Sequence, residues 1–137
     1  MSERIFIDSD VILDVALARQ PFVEASQQVL ASCENGTFTG CISSNSVANI
    51  YYILRKLGGD EKARIFIKQL LKFLVIIPVD HVGISKALDS KFTDFEDAIQ
   101  HFAALSFGCT MIVTRNVQDY KFAELKVVLP ITFLGDD

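Results

Sequence analysis

Ile5-Phe6-Ile7-Asp8-Ser9-Asp10-Val11 runs from an apolar triplet straight into two carboxylates. The triplet predicts a short buried strand, Ile5 to Asp8, since a strand covered on both faces needs no polar alternation. Val11 to Ala18 then reads as a helix, ended before Pro21 because proline lacks the N–H a helix needs. A strand that turns at once into a helix opens a βα unit. Carboxylates at such a junction gather at the edge of a parallel sheet where ligands bind.

The alternation continues along the chain. Phe22 to Cys33 carries apolar or small residues at helical spacing and stops at Asn35-Gly36. Phe38 to Ile42 reads as the second strand and Ser44 to Leu57 as the next helix, ended by Gly58-Gly59. Asp60 is expected to cap a helix whose inner stripe runs from Ala63 to Leu74, before a third strand at Val75 to Ile77. Asp80 caps a short helix to Leu88. Thr93-Asp94-Phe95-Glu96 reads as a capping box, opening a helix buried through Phe95, Ala98, Ile99, Phe102 and Ala103 and ended by Gly108. Met111 to Val113 is the fourth strand, and Val127-Val128 the candidate fifth, before Pro130 and a final turn. Strands separated by helices imply an α/β sandwich of three layers with a mostly parallel central sheet.

The whole chain, 1–137, reads as a single domain. Half its residues are hydrophobic and eleven are Phe, enough for a core without staples. The longest apolar run, Phe73 to Val79, is far too short for a membrane span, and charged residues interrupt any secretory leader. Cys33, Cys41 and Cys109 show neither disulfide nor zinc spacing and read as buried free thiols, which fits a reducing cytoplasm. The net charge of −4 argues against sequence-blind coating of nucleic acid but not against a nuclease, whose site is itself acidic. Between Arg55 and Lys72 the chain is locally basic; Arg55 and Lys56 are candidates for tracking a phosphate backbone, and a solvated helix face is the plainer alternative.

Three acidic clusters carry the chemistry. Asp8 and Asp10 flank Ser9, whereas capping needs only one carboxylate. Asp94 and Asp97 share a face of one helix turn, where the helix dipole alone also favours acids. Asp97 adjoins the apolar stripe, and a partly buried carboxylate needs a compensating charge. Glu96 is left to the capping box. After the fourth strand come Thr114, Arg115, Asn116 and Asp119, bringing hydroxyl, guanidinium, amide and carboxylate to the same sheet edge. Arg115 suits a phosphate or an ion pair. His81 reads as a helix-surface residue. His101 lies one turn after Asp97, within reach of a hydrogen bond to it, but a helix-surface position suits it better. Carboxylates that converge repel unless a cation joins them, and oxygen ligands suit Mg²⁺ or Mn²⁺.

Taken together, Ile5 to Val11, Asp94-Phe95-Glu96-Asp97-Ala98, and Ile112-Val113-Thr114-Arg115-Asn116 with Asp119 resemble the PIN-domain ribonucleases, including the VapC-type toxins of toxin–antitoxin pairs. The resemblance runs from Ile5 to about Leu134. It implies a three-layer fold and divalent-metal-dependent cleavage of RNA, leaving a 5′-phosphate and a 3′-hydroxyl. Asp8 matches the first metal-ligating aspartate, Asp97 the aspartate at the start of the late helix, and Asp94 its acidic companion. Asn116 stands where many members have aspartate, Asp119 matches the acid just beyond, and Thr114 matches a hydroxyl beside the site. The sequence departs from the pattern at Asn116 and at Asn49, where members carry an acid on the third helix. Asp10, often Asn in members, restores one charge. The expected metal set is Asp8, Asp97, Asp119, Asp94 and Asp10.

Two alternatives remain open at the level of sequence. Asp8-Ser9-Asp10-Val11 fits the opening of haloacid-dehalogenase-type phosphotransferases, although the chain is short and lacks their later lysine and paired acids. Asn49 and Asn116 fit a domain that has lost cleavage and kept RNA or protein binding. The resemblance further implies an antitoxin that inserts a basic side chain into the acidic groove, and a homodimer.

Overall fold

The opening triplet forms the central strand. The computed structural model describes residues 2–135, and in it β1 spans Glu3–Ile7 with Ile5, Phe6 and Ile7 fully buried. Each such side chain contributes roughly 1.5–3 kcal/mol on leaving water. The chain continues through α1 (Ser9–Ala16), α2 (Val23–Glu34), β2 (Phe38–Ser43), α3 (Ser44–Gly58), α4 (Asp60–Leu70), β3 (Leu74–Ile77), α5 (His81–Leu88), α6 (Phe95–Ser106) and β4 (Met111–Val113). A 3₁₀ turn (Val117–Tyr120), β5 (Lys126–Val128) and α7 (Pro130–Gly135) complete it.

The sheet order is β3-β2-β1-β4-β5, and every pairing is parallel. From β1 the chain builds outward through β2 and β3, then crosses back to place β4 against the other side of β1. The strand order therefore reverses at β1, and a crevice opens outside the carboxyl ends of β1 and β4. The ladder extends past both strands: the Asp8 N–H donates to Val113 O at 3.0 Å, and the Thr114 N–H to Val128 O at 3.0 Å. These bonds fix the two residues at the mouth of the crevice.

Alternation along β1 sends Ile5 and Ile7 to one face and Phe6 to the other. Ile5 and Ile7 join a core with Val11, Ile12, Val29, Leu30, Ile50, Leu54 and Phe133, under α1 to α4 and α7. Phe6 joins a second core with Cys41, Ile77, Ala103, Ala104, Ile112 and Tyr120, under α6. The result is the expected α/β/α sandwich. Gly40 lets the layers approach: a Cβ there would meet Leu74 Cδ2 at 2.6 Å and Cys33 Sγ at 2.7 Å. All three cysteines are free and buried. Among the described residues no helix is long and apolar enough to cross a membrane.

Several local expectations are corrected. α1 starts at Ser9 rather than Val11, because Asp8 in extended conformation caps it through the Ser9 N–H at 2.7 Å. Gly59, at φ 95°, precedes α4, so Asp60 lies inside the helix and its carboxylate accepts from Arg64 and Tyr51 instead of capping. The box at Thr93 does not form: Asp94 is the cap of α6, accepting from the Asp97 N–H at 2.9 Å, and Glu96 faces Asn49 on α3. Phe95 is exposed, while Gln100 and His101 are buried.

Candidate active site

Three segments far apart in sequence meet at the β1–β4 crevice. β1 delivers Asp8, and the first turn of α1 delivers Asp10. β4 ends in Thr114, followed by Asn116 and the 3₁₀ turn with Asp119 and Tyr120. α6 presents Asp97 in its first turn.

Asp8 is buried. Its Oδ1 accepts from the Ser9 N–H, and its Oδ2 accepts from Thr114 Oγ1 at 3.0 Å and Tyr120 Oη at 3.1 Å. The same Tyr120 oxygen lies 3.3 Å from Asp97 Oδ1, so one phenol spans two carboxylates 89 positions apart. Gln100 Nε2 adds a longer contact to Asp97 Oδ1 at 3.4 Å. Asp10 Oδ2 accepts from the Arg115 N–H at 3.1 Å and Asn116 Nδ2 at 3.1 Å, with Thr114 Oγ1 at 3.4 Å. Its other oxygen, Oδ1, is buried and has no hydrogen-bond partner among the described residues. Asp119 is exposed, and its charge reaches both Asp8 and Asp97.

The electrostatics follow from burial and like charge. Burial raises the Asp8 carboxyl, opposed by the hydrogen bonds from Thr114, Ser9 and Tyr120. Burial and then the Asp8 charge push Asp10 up to about 6. Burial, Asp8 and Asp94 push Asp97 up to about 7. Burial followed by the charges of Asp8 and Asp97 drives the Tyr120 phenol upward, so it stays a proton donor. Among the described residues no three acid, histidine or thiol side chains close into a ready metal cage. The Thr114 and Tyr120 hydroxyls stand between the carboxylates instead. The donor set is nonetheless all oxygen, and the orphaned Asp10 Oδ1 fits a hard cation.

The other candidates fall in different places. Asp94 caps α6, which occupies its Oδ1. Arg115 turns away from the crevice and forms an ion pair with buried Asp14, at 2.7 Å through Nε and 3.0 Å through Nη2, with its guanidinium 4.0 Å over the Phe22 ring. Arg55 and Lys56 are exposed in the last turn of α3. At ~1.5 Å per residue they sit about 9–10 Å along the axis from Asn49. Asn49 Nδ2 donates to Glu96 Oε1 at 3.3 Å, and Glu96 feels the charges of Asp94 and Asp8. A carboxylate from α6 thus lies beside the α3 position that carries amide here. His101 is buried, not a surface residue: Nε2 accepts from the Glu124 N–H at 2.9 Å, and the ring packs on Phe92 and Phe102. Tyr120, Gln100 and Glu96 are the site residues that sequence reasoning missed. The only local signal was a polar ring beside Asp119.

This sheet order, with acids from β1, α6 and the segment after β4 at one switch point, defines a PIN domain. The PIN domain family profile matches residues 4–118, and the chain belongs to that family. It is 31% identical over 124 residues to Ribonuclease VapC1 from Aquifex aeolicus (strain VF5), covering 87% of this chain and 85% of that protein. Its fold matches a toxin–antitoxin complex from Klebsiella pneumoniae with a TM-score of 0.69 at 20% identity, over 92% of this chain and 97% of that one. It also matches VapC20 from Mycobacterium tuberculosis, a sarcin–ricin loop-cleaving toxin, with a TM-score of 0.67 at 15% identity, over 89% and 98%. Membership of this family sets aside the haloacid-dehalogenase alternative.

Proposed function

We propose that the chain is a divalent-metal-dependent endoribonuclease and the toxin of a toxin–antitoxin pair. The observation that carries this is the convergence of Asp8, Asp10 and Asp97 on one crevice, with Asp10 Oδ1 buried and unpartnered. Likeness to a named ribonuclease at 31% identity supports the substrate class. Asp8, Asp10 and Asp97 would hold Mg²⁺ or Mn²⁺, with Asp119 at the rim and Glu96 near by. The chemistry supplied by such a cation is neutralisation of phosphate charge and acidification of an attacking water.

The chain's own residues do the rest. Thr114 orients Asp8 and Asp10 by offering one proton to two acceptors. Asn116 and the Arg115 N–H hold Asp10 Oδ2 in place, leaving Oδ1 for a ligand. Arg115 braces the loop against α1 through Asp14, so it acts on RNA through the loop rather than by gripping phosphate. Arg55 and Lys56 would attract the RNA backbone from a distance. The acidic crevice suits a basic side chain inserted by an antitoxin. Exposed Val82, Leu88 and Phe95 offer apolar surface to a second copy of the chain.

The test is cleavage of single-stranded RNA in Mn²⁺. Asp8→Asn and Asp97→Asn should each lose at least about a hundredfold in rate. Undiminished cleavage in both variants, or in excess chelator, would overturn the proposal.

A further inference from the structure

Tyr120 is 2% exposed, and among the described residues its hydroxyl hydrogen-bonds with Asp8 Oδ2 at 3.1 Å, Asp97 Oδ1 at 3.3 Å and Gln100 Nε2 at 3.4 Å. A phenol has one proton to give and can also accept. The Gln100 amide decides how that proton points. Ser46 Oγ donates to Gln100 Oε1 at 2.8 Å, and Ser46 is itself paired with Ser43 Oγ at 2.8 Å. The Gln100 carbonyl therefore faces Ser46, and its NH₂ faces Tyr120 and Asp97. The NH₂ lies on the acceptor side of the phenol oxygen, so the phenol proton is left to the two carboxylates. Ser43, Ser46 and Gln100 are all buried, and the line of hydrogen bonds they form ends at the gap between Asp8 and Asp97. A phenylalanine would fill the same core position in packing terms and would leave Gln100 without that partner.

We infer that the Tyr120 hydroxyl, aimed by the Ser46–Gln100 pair, is a neutral spacer that holds Asp8 and Asp97 together in the metal-free chain and is displaced when a divalent cation enters between them. The inference rests on the metal-dependent function proposed above and deepens it. Tyr120 acts here as a positioning residue: it keeps the two acids assembled without the charge that a bound cation brings, and it competes with that cation for Asp8 Oδ2 and Asp97 Oδ1.

The experiment is Mg²⁺ titration by calorimetry of the full chain and its Tyr120→Phe variant, with thermal melting of both in chelator. The variant should bind Mg²⁺ roughly three- to tenfold more tightly and melt lower without metal. A residue needed only for packing would not tighten metal binding on removal of its hydroxyl. Equal or weaker affinity in the folded variant overturns the spacer alone. A parent that takes up no Mg²⁺ at millimolar concentration overturns the metal-dependent function and the spacer with it. Carbon-13 labelling of the three tyrosines at Cζ gives a reading on the parent protein itself. The Tyr120 signal should move on addition of Mg²⁺ while Tyr51 and Tyr52, on α3, stay put. A Tyr120 signal unmoved at saturating Mg²⁺ overturns the inference.

Discussion

Asp10 and Asp14 lie one turn apart on α1, and their surroundings are opposite. Asp14 is fully buried and meets the Arg115 guanidinium at 2.7 and 3.0 Å, with Ser26 Oγ at 3.3 Å and Arg19 at 3.9 Å. Asp10 accepts only from neutral groups, at one oxygen, and the other has no partner. The fold supplies a cation to the carboxylate that packs the helix. Around Asp8, Asp10 and Asp97 it supplies hydroxyls and amides as partners, and the Arg115 charge, engaged by Asp14, offsets only part of the rise at Asp10. One acid is neutralised by the fold; on the proposed function, the others await a cation from outside.

Breaking the paired member should do the most damage. Asp14→Asn leaves the half-buried Arg115 without its counter-charge and should cost about 3 kcal/mol in urea unfolding. A loss below about 1 kcal/mol would place this pair with ordinary surface ion pairs and erase the contrast. Neutralising an unpaired member should do the reverse. Asp97 is raised from 3.8 to about 7, so between those values the folded chain keeps a proton that the unfolded chain releases. The contribution of Asp97 to metal-free stability is therefore full below about pH 3.8 and is lost as pH rises through about 7. Asp97→Asn should flatten that fall and stabilise the chelated protein at pH 8 by about 1–2 kcal/mol, less than the full shift because the group is partly solvated. An unchanged pH profile would locate the penalty elsewhere.

Smaller effects sharpen the same contrast. If Asp10, raised to about 6, and Asp97 take the proposed cation, protons should compete with it. Mg²⁺ fixed at ten times its pH 8 dissociation constant should raise the melting temperature of the parent by about 3–5 °C at pH 8 and by clearly less at pH 6. Equal shifts at both pH values would mean that neither acid takes the cation. Asn49→Ala removes a single long contact to Glu96 at 3.3 Å on the exposed rim and should change stability by less than about 0.5 kcal/mol. A larger loss would make Glu96 part of the fold rather than of the rim.

The strands and helices were legible because Ile5-Phe6-Ile7 and Met111-Ile112-Val113 are apolar without a break, while the stripes between them keep helical spacing. Asp8, Asp10, Asp97 and Thr114 were legible for the same reason: each follows a strand or opens a helix, so local order alone puts it at the sheet edge. What failed was everything that depends on a distant partner. Arg115 stayed open between a phosphate and an ion pair because Asp14, 101 residues earlier, could not be seen to claim it. His101 looked exposed because its acceptor role toward the Glu124 N–H exists only after β5 has docked. Thr93 looked like the cap because Ser/Thr and Asp compete as caps on nearly equal terms, and the backbone turned one residue later, at Asp94.

The register that sets β1 between β2 and β4 also sets a schedule. Asp8 is made before its partners, and Thr114 and Tyr120 follow more than a hundred residues later. A growing chain halted before β4 has Asp8, Asp10 and Asp97 but lacks Thr114, Asn116 and Tyr120, which bond to them. The pocket is thus complete only once the chain has been made through Tyr120, and a shorter nascent chain holds the acids without the hydroxyls that bridge them.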